Sequence, residues 1–325
     1  MSKSYEATLQ TEQKIHTEKK KVGKLSVIWK KVYRDRYLYL LLAPFLVWIF
    51  LFSYRPLWGL QIAFKDYSLW KGIEGSDWVG LANFKEFFGG AFFIRTLRNT
   101  LVINIYSIIF GFPAPILLAL MLNELRSPKY KKTIQTLTYL PYFISVVVVA
   151  GIVVNFLAPD RGIVNVIIKA LGGESIYFLT KPQWFRAVYT IMNMWKDTGF
   201  GAIVYLAALA GVDVQLYDAC KIDGGNRFHQ IFHITIPSIV PTVVIMFILR
   251  IGGLLDVGYE SIILLYQPVT YETADVISTY VYRLGIQGNQ QALATAVGLF
   301  NSVVAFILVG FTNFISRKTS DISLW

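Results

Sequence analysis

Apolar residues come in long runs along this chain, separated by short polar stretches. Six runs read as membrane-crossing helices, at residues 37–54, 99–123, 136–157, 185–211, 238–258 and 292–315. About 20 apolar residues are what a helix needs to cross a hydrocarbon layer. The runs are not uniform. Pro113 and Pro115 interrupt the second, Pro141 lies inside the third, and Gly252-Gly253 loosen the fifth. Such residues are tolerated in a bilayer where neighbouring helices or a cavity satisfy the freed backbone groups. That favours a packed bundle around a pathway, although simple kinks account for each proline taken singly. The pattern predicts an all-α polytopic membrane protein. Its single membrane domain, 37–317, has about six transmembrane helices, between tails at 1–36 and 318–325.

Between the fourth and fifth runs the polarity changes. "LYDACKIDGGNRFHQIFHITIPSIVP", residues 216–241, carries two acids, two bases, two histidines and a Gly-Gly pair. Asp213 is placed to N-cap a short helix reaching Asp223. Gly224-Gly225 then ends it, because glycine accepts the left-handed backbone of a C-cap. Asn226 is placed to cap a second short helix over 227–233. Pro237 biases Ile236 toward an extended conformation before the fifth run. Leu216, Tyr217 and Cys220 share one side of the first helix, and Phe228, Ile231 and Phe232 give the second an apolar side. A polar helix pair tied at both ends to membrane helices suits the docking of a soluble partner; an ordinary helical loop is the plainer alternative.

Composition agrees with the membrane reading. Of 325 residues, 55% are hydrophobic and only 16% charged, where a soluble domain carries about a quarter. The net charge of +11 matters through its position rather than its sum. Ten Lys or Arg lie in residues 1–36. The tails, the loop 124–135 and the loop 212–237 together hold 18 basic residues, against 10 in the loops on the other side. The excess places both termini and the polar insert in the cytoplasm, with the lipid bilayer rather than nucleic acid as the partner of this charge. Trp58, Trp70, Trp78 and Trp184 fall near the opposite boundary. No apolar segment opens the chain, so no cleaved signal peptide is expected. Cys220, the one cysteine, cannot form an internal disulfide.

Candidate chemistry is sparse. A phosphate-binding loop needs Gly-x-x-x-x-Gly-Lys-Ser/Thr; the one Gly-Lys pair, Gly23-Lys24, is followed by Leu25 and has Glu18 where the first glycine belongs. His229 and His233 have the spacing of a zinc pair, yet Gln230 follows the first and no third ligand is evident, so no metal is expected. Lys196 and Asp197 in the fourth run, and Arg250 and Asp256 in the fifth, are charges at membrane depth. Such groups usually face a cavity or one another. Two readings stand for Lys196 and Asp197: a place on a substrate pathway, or the outer boundary with the lysine snorkelling. Asn193 is a further pathway candidate, with Asn104, Asn155 and Asn301 suited equally to helix–helix bonding. Tyr139, Trp195 and Tyr259 are aromatics that could stack on sugar faces or simply pack.

The insert resembles the coupling segment of permease subunits of bacterial binding-protein-dependent ABC importers. That segment has the form Glu-Ala-Ala, three residues, Gly, and later Ile-x-x-Pro. Here it reads Asp218-Ala219-Cys220, Lys221-Ile222-Asp223, Gly224, then Ile234-Thr235-Ile236-Pro237, with the glycine and proline 6 and 19 positions after the acid. Asp218 replaces Glu, Cys220 replaces the second Ala, Gly225 stands for Ala and Ile231 for the usual Phe. "AFKDYSLW" and "WVGLANFKEFF", residues 63–70 and 78–88, and "WKDTGFGAIVYLAALAGVDVQLYDA" resemble the sugar-importing permeases. The segment "RDRYLYLLLAPFLVWIFLFSYRPLWGLQIAFKDY" is similar to their oligosaccharide and polysaccharide branch, which includes the first permease subunits of alginate importers. The resemblance implies a multi-pass protein of the bacterial cytoplasmic (inner) membrane. It implies a pathway shared with a second homologous permease, and an extracytoplasmic solute-binding protein that delivers substrate. It implies two cytoplasmic ATPase subunits, carrying ATP and Mg, docked on the coupling residues Asp218, Ala219, Cys220, Asp223, Gly224 and Pro237. This chain would itself bind no cofactor and be no enzyme. Acidic and neutral oligosaccharides both remain open as substrate. A secondary transporter would need no ATPase and should show a repeated topology, which is not evident; a membrane enzyme would need a catalytic cluster, which the acids, histidines and Cys220 do not make.

Overall fold

The computed structural model describes Trp29 and residues 31–320. Residues 1–28 of the basic tail, with Gly23-Lys24, and residues 321–325 of the other tail lie outside the described residues. Two units are distinguished, 1–60 and 61–325. In the first, helix α1, Arg36–Ile49, continues through a π turn at Phe50–Tyr54.

The second unit opens with a hairpin of β1, Lys65–Asp66, and β2, Asp77–Trp78, in antiparallel register with Lys65 opposite Trp78. Asn83 clamps it by donating to the Ala63 and Lys65 carbonyls at 2.9 and 3.1 Å. Then follow α2 (Ala82–Gly89), α3 (Phe93–Tyr106), α4 (Pro113–Glu124), α5 (Pro128–Tyr139), α6 (Val146–Phe156), α7 (Ile163–Ala170) and α8 (Pro182–Ala210). The insert supplies α9 (Val214–Ile222) and α10 (Arg227–Gln230). The chain closes with α11 (Ile236–Gly252), α12 (Tyr259–Leu265), α13 (Ile277–Tyr282) and α14 (Gln291–Ser320).

Among the described residues four continuous helices are long and apolar enough to cross a membrane: Arg36–Phe64, Phe93–Glu124, Arg227–Gly252 and Gln291–Lys318. Two bent pairs bring the number up to six: Pro128–Phe143 with Val146–Phe156, at 102°, and Pro182–Ala210 with Val214–Ile222, at 69°. The third run, read as one span with Pro141 inside it, is therefore broken into two helices. Pro141 is buried in a 3-10 turn at Leu140–Phe143, Ile144 is extended, and Ser145 starts α6 as its N-cap.

Three prolines, Pro56, Pro113 and Pro237, share one device that Pro44 and Pro241, also inside helices, do not use. The amide just before Pro56, that of Arg55, bonds the Phe50 carbonyl; Phe112, before Pro113, bonds Ser107; Ile236, before Pro237, bonds Ile231. Each bond reaches back five residues instead of four, so a π turn precedes each proline. The widened turn takes up a residue where proline has no N–H to give and its ring needs room. This corrects the expectation for the insert. Ile236 is helical, at φ −63° and ψ −50°, and α10 is continuous with α11 rather than a separate helix over 227–233. The fifth run also ends early: Gly252 closes α11, and Asp256 lies in the loop beyond it.

Helix α8 is the hub, packing on α4, α5, α6 and α11. In a bilayer, apolar burial drives little association, and small residues that let backbones approach matter more. Gly199 illustrates this: a Cβ there would collide with the Thr138 carbonyl oxygen at the end of α5. Gly201 leaves a Cβ only 3.1 Å from the Pro115 ring of α4. Nearer the insert, Ala119, Ala202, Tyr205, Leu209 and Ile239 form a buried cluster joining α4, α8 and α11.

Candidate functional site: the insert and the polar face of α8

The insert is built by local capping. Asp213 accepts the Gln215 amide at 2.9 Å and starts α9. Gly224 stands at φ +78°. The Gly225 amide bonds the Cys220 carbonyl at 2.8 Å and the Gly224 amide bonds Lys221 at 3.1 Å, the paired pattern of a Schellman C-cap. Asn226 accepts the His229 amide at 3.0 Å and starts α10. Asp218 pairs with Lys221 at 2.9 Å. Asp218, Ala219, Asp223, Gly224 and Pro237 are exposed, and Cys220 is half-buried against Gly225. One contact holds the insert together, Tyr217 Oη at 3.1 Å from Thr235 Oγ1, and one ties it to the bundle, Arg227 reaching Glu124 at the end of α4 at 3.1 Å. Val214, Leu216, Ile222, Phe228 and Phe232 are nevertheless exposed, so the expected apolar sides of the insert are covered only in part within this chain, at the half-buried Tyr217, Cys220 and Ile231. The His229 and His233 rings stack, with centroids 5.8 Å apart; their Nδ1 atoms face Asn226 Oδ1 and the His229 carbonyl.

The candidate pathway residues separate by face. A cavity of about 260 Å³ lies between α3, α4, α8 and α11, and Ser107, Thr190, Asn193, Asp197 and Arg250 line it. Arg250 donates to Ser107 Oγ. Ser107 and Gly111 stand in the π turn that precedes Pro113, so the proline of the second run helps shape this wall. An adjoining cleft of about 360 Å³ is lined by Asn193, Lys196, Asp256, Tyr259 and Glu260. Asn193 belongs to both, and donates to the Tyr189 carbonyl at 2.8 Å. Lys196 lies 3.4 Å from Asp197 and 4.9 Å above the Tyr142 ring, which stacks on Phe200 at 3.9 Å. Tyr259 stacks on Tyr282 at 5.7 Å. The structure thus brings Asn193, Lys196, Arg250 and Tyr259 to adjoining spaces. It does not bring Trp195 there. Two residues along a helix turn the side chain by about 200°, and Trp195 lines a third, apolar cleft with Leu118, Leu137 and Ile191, which shares Met194 and Thr198 with the first cavity. Asn104 and Asn155 donate within their own helices, to the Thr100 and Gly151 carbonyls.

One polar cluster was not anticipated from the sequence. Asp275 is fully buried; Arg283 meets its two oxygens at 2.7 Å each, and Arg95 meets one at 2.9 Å. Thr279 Oγ1 donates to it at 2.9 Å. Burial works against the charge on Arg283, but the Asp275 carboxylate outweighs it and raises the guanidinium pKa above its ordinary value. Arg95 and Asp275 are 180 residues apart, and no local pattern joins them.

An all-α bundle with proline-widened helices, a capped polar insert and a cavity with polar and charged groups in a largely apolar wall is suited to membrane transport. Residues 111–321 match the family described as binding-protein-dependent transport system inner membrane component. The chain belongs to this family: it is a membrane permease subunit of the ABC importer class. It is 46% identical to protein LplB of Bacillus subtilis over 88% of this chain and 90% of that one. It is 42% identical to the polygalacturonan/rhamnogalacturonan transport system permease protein YteP of Bacillus subtilis, over 90% and 91% of the two chains. Among solved structures it is similar to a chain of a bacterial alginate ABC transporter in complex with an alginate pentasaccharide-bound periplasmic protein. The TM-score is 0.85 at 48% identity, covering 91% of this chain and 99% of that one. The expected permease fold stands, and the family is an inner membrane component of binding-protein-dependent transport systems.

Proposed function

We propose that this chain forms, with a second permease of the same fold, the translocation pathway for an acidic oligosaccharide in the bacterial cytoplasmic membrane. Both termini and the insert face the cytoplasm, where α9 and its Gly224 turn seat a partner ATPase that binds ATP and Mg. A solute-binding protein delivers substrate from the other side. The exposed apolar residues of the insert support the docking role: Ile222 is 86% exposed on α9, which is capped at both ends, and Phe228 is 71% exposed on α10, which is N-capped by Asn226 and continuous with α11.

The observation that carries the acidic reading is the placement of Arg250 and Lys196 on adjoining polar spaces at Asn193. A cation in the bilayer interior costs about 2.5–3.5 kcal/mol. A neutral sugar offers little to offset that, whereas a uronate carboxylate pairs with guanidinium and ammonium directly. Asp197, beside Lys196, is 56% exposed and only 3.4 Å away, so it competes with a ligand carboxylate without excluding one. The relatives named for polygalacturonan and alginate point the same way.

The test is binding-protein-dependent stimulation of ATPase activity in the reconstituted complex, with uronate and matched neutral oligosaccharides. Uronates should stimulate, and Lys196→Gln or Arg250→Gln should weaken that response. Stimulation by neutral sugars alone, or an unchanged uronate response in both variants, contradicts the acidic reading and leaves the family assignment intact.

A further inference from the structure

The arginines at the end of the bundle remote from the insert are not all accounted for by the Asp275 cluster. Arg95 and Arg283 neutralise Asp275. Arg98 on α3 and Arg186 on α8 have no carboxylate within ion-pair distance among the described residues. Their setting is nevertheless built. Asn99, fully buried, donates through Nδ2 to the Glu272 and Asp275 carbonyls at 2.9 and 3.0 Å, which fixes its amide. Its Oδ1 then accepts from Arg186 Nη2 at 3.1 Å. Arg98 Nη2 reaches the same Glu272 carbonyl at 3.5 Å.

Three buried donors here lack an acceptor: Arg95 Nε, Arg186 Nε and, one turn along α8, Thr190 Oγ1; of the two arginines, only Arg186 also lacks a carboxylate partner. Buried polar groups without partners are uncommon, and each calls for an explanation. Thr190 lines the cavity that also holds Asn193, Asp197 and Arg250. Positions 186, 190, 193 and 197 recur at helical spacing and share one face of α8. At 1.5 Å per residue, Arg186 stands about 10 Å along the axis from Asn193 and about 16 Å from Asp197. The polar face of α8 therefore carries an unpaired cation at one end and reaches the level of Arg250 at the other.

The geometry points to Arg186, with Arg98 beside it, as a carboxylate-binding subsite one turn of α8 beyond Thr190, the last residue of this face that lines the cavity, so that a uronate oligosaccharide is held at both this subsite and Arg250. Arg186 and Thr190 are the specificity-determining contacts; Asn99 is a positioning residue. This rests on the acidic-oligosaccharide reading and adds the residues that discriminate.

The test is equilibrium binding of a uronate tetrasaccharide, and of its carboxyl-reduced neutral counterpart, to the purified permease–ATPase complex, with thermal stability measured in parallel. Arg186→Gln should weaken uronate binding about tenfold, as loss of a charge-assisted contact does. Arg186→Lys should restore much of it, and Thr190→Val should weaken it about threefold. Neutral tetrasaccharide binding should change little in all three. Unchanged uronate affinity in Arg186→Gln, with Arg250→Gln still weakened, overturns the subsite alone. Equal losses for both sugars, or for the Gln and Lys variants together with falling stability, assign Arg186 a structural role and also overturn it. A wild-type complex with no preference for the uronate overturns the acidic reading itself.

Discussion

Gly224 and Gly225 meet different demands in the turn between α9 and α10. Gly224 has open space around its missing Cβ, so its demand is conformational: φ +78° is where L residues are strained. Gly224→Val should cost about 1–3 kcal/mol, and transport should fall while membrane insertion persists. Gly224→Asn should be milder, because asparagine tolerates the left-handed region. Uptake assays of both variants at equal membrane levels check the order. Gly225 has the opposite demand, since a Cβ there would run into Cys220 Sγ and lies 2.8 Å from the Cys220 carbonyl oxygen. Cys220 and Gly225, which both depart from the alanines of the segment that the insert resembles, are thus in contact, and a smaller residue at 220 would relieve the clash with sulfur though not the one with the carbonyl oxygen. Gly225→Ala should impair transport less when combined with Cys220→Ala than alone. Elsewhere, Asp275 shows what a buried charge requires. Asp275→Ala would leave Arg95 and Arg283 facing each other without their shared carboxylate. A loss of about 3–5 kcal/mol is expected, read as lower thermal stability of the purified complex.

At the scale of elements, what the sequence reveals depends on how local the cause is. The N-caps Asp213 and Asn226 and the left-handed Gly224 were legible, since each acts on amides within a few residues. The sixth run was legible because nothing in it competes with helix formation. Pro237 misled, because the steric bias of its predecessor toward extended backbone is only a preference. The helix-breaking effects of proline, a lost N–H bond and a ring clash with the carbonyl four residues back, presuppose four-residue bonding. A π turn escapes that assumption, and the same escape keeps Pro113 within one continuous helix, Phe93–Glu124. The break at Ile144–Ser145 was hidden by apolar residues on both sides of it. Lys196, Arg250 and Asn193 stood out as polar residues in apolar runs. Arg186 and Thr190 would have been found by following the same helical face of α8, but the Asp275 cluster depends on distant pairing. Gly199 is a tertiary requirement of the same kind. Gly199→Val should push α8 off the Thr138 backbone and destabilise the bundle by about 1–3 kcal/mol, as overpacking does, seen as reduced recovery of folded protein in detergent.

At the scale of the whole molecule, the polar insert and the polar cavity are joined by continuous helices. Helix α8 runs from the Arg186 end past Asn193 to Ala210, three residues before the Asp213 cap. The helix Arg227–Gly252 runs from the insert to Arg250. A displacement of the insert by a docked partner would therefore reach both walls of the cavity without an intervening loop in the second helix. The most direct measurement is uptake of a labelled uronate oligosaccharide into proteoliposomes holding this chain, a second permease, the ATPase and the loaded binding protein. Uptake should require ATP rather than ADP, and should fall in Gly224→Val while the permeases remain assembled. Uptake that proceeds without ATP, or that is unaltered in Gly224→Val at saturating ATP, would contradict the account of the insert as the joint between ATP hydrolysis and the pathway.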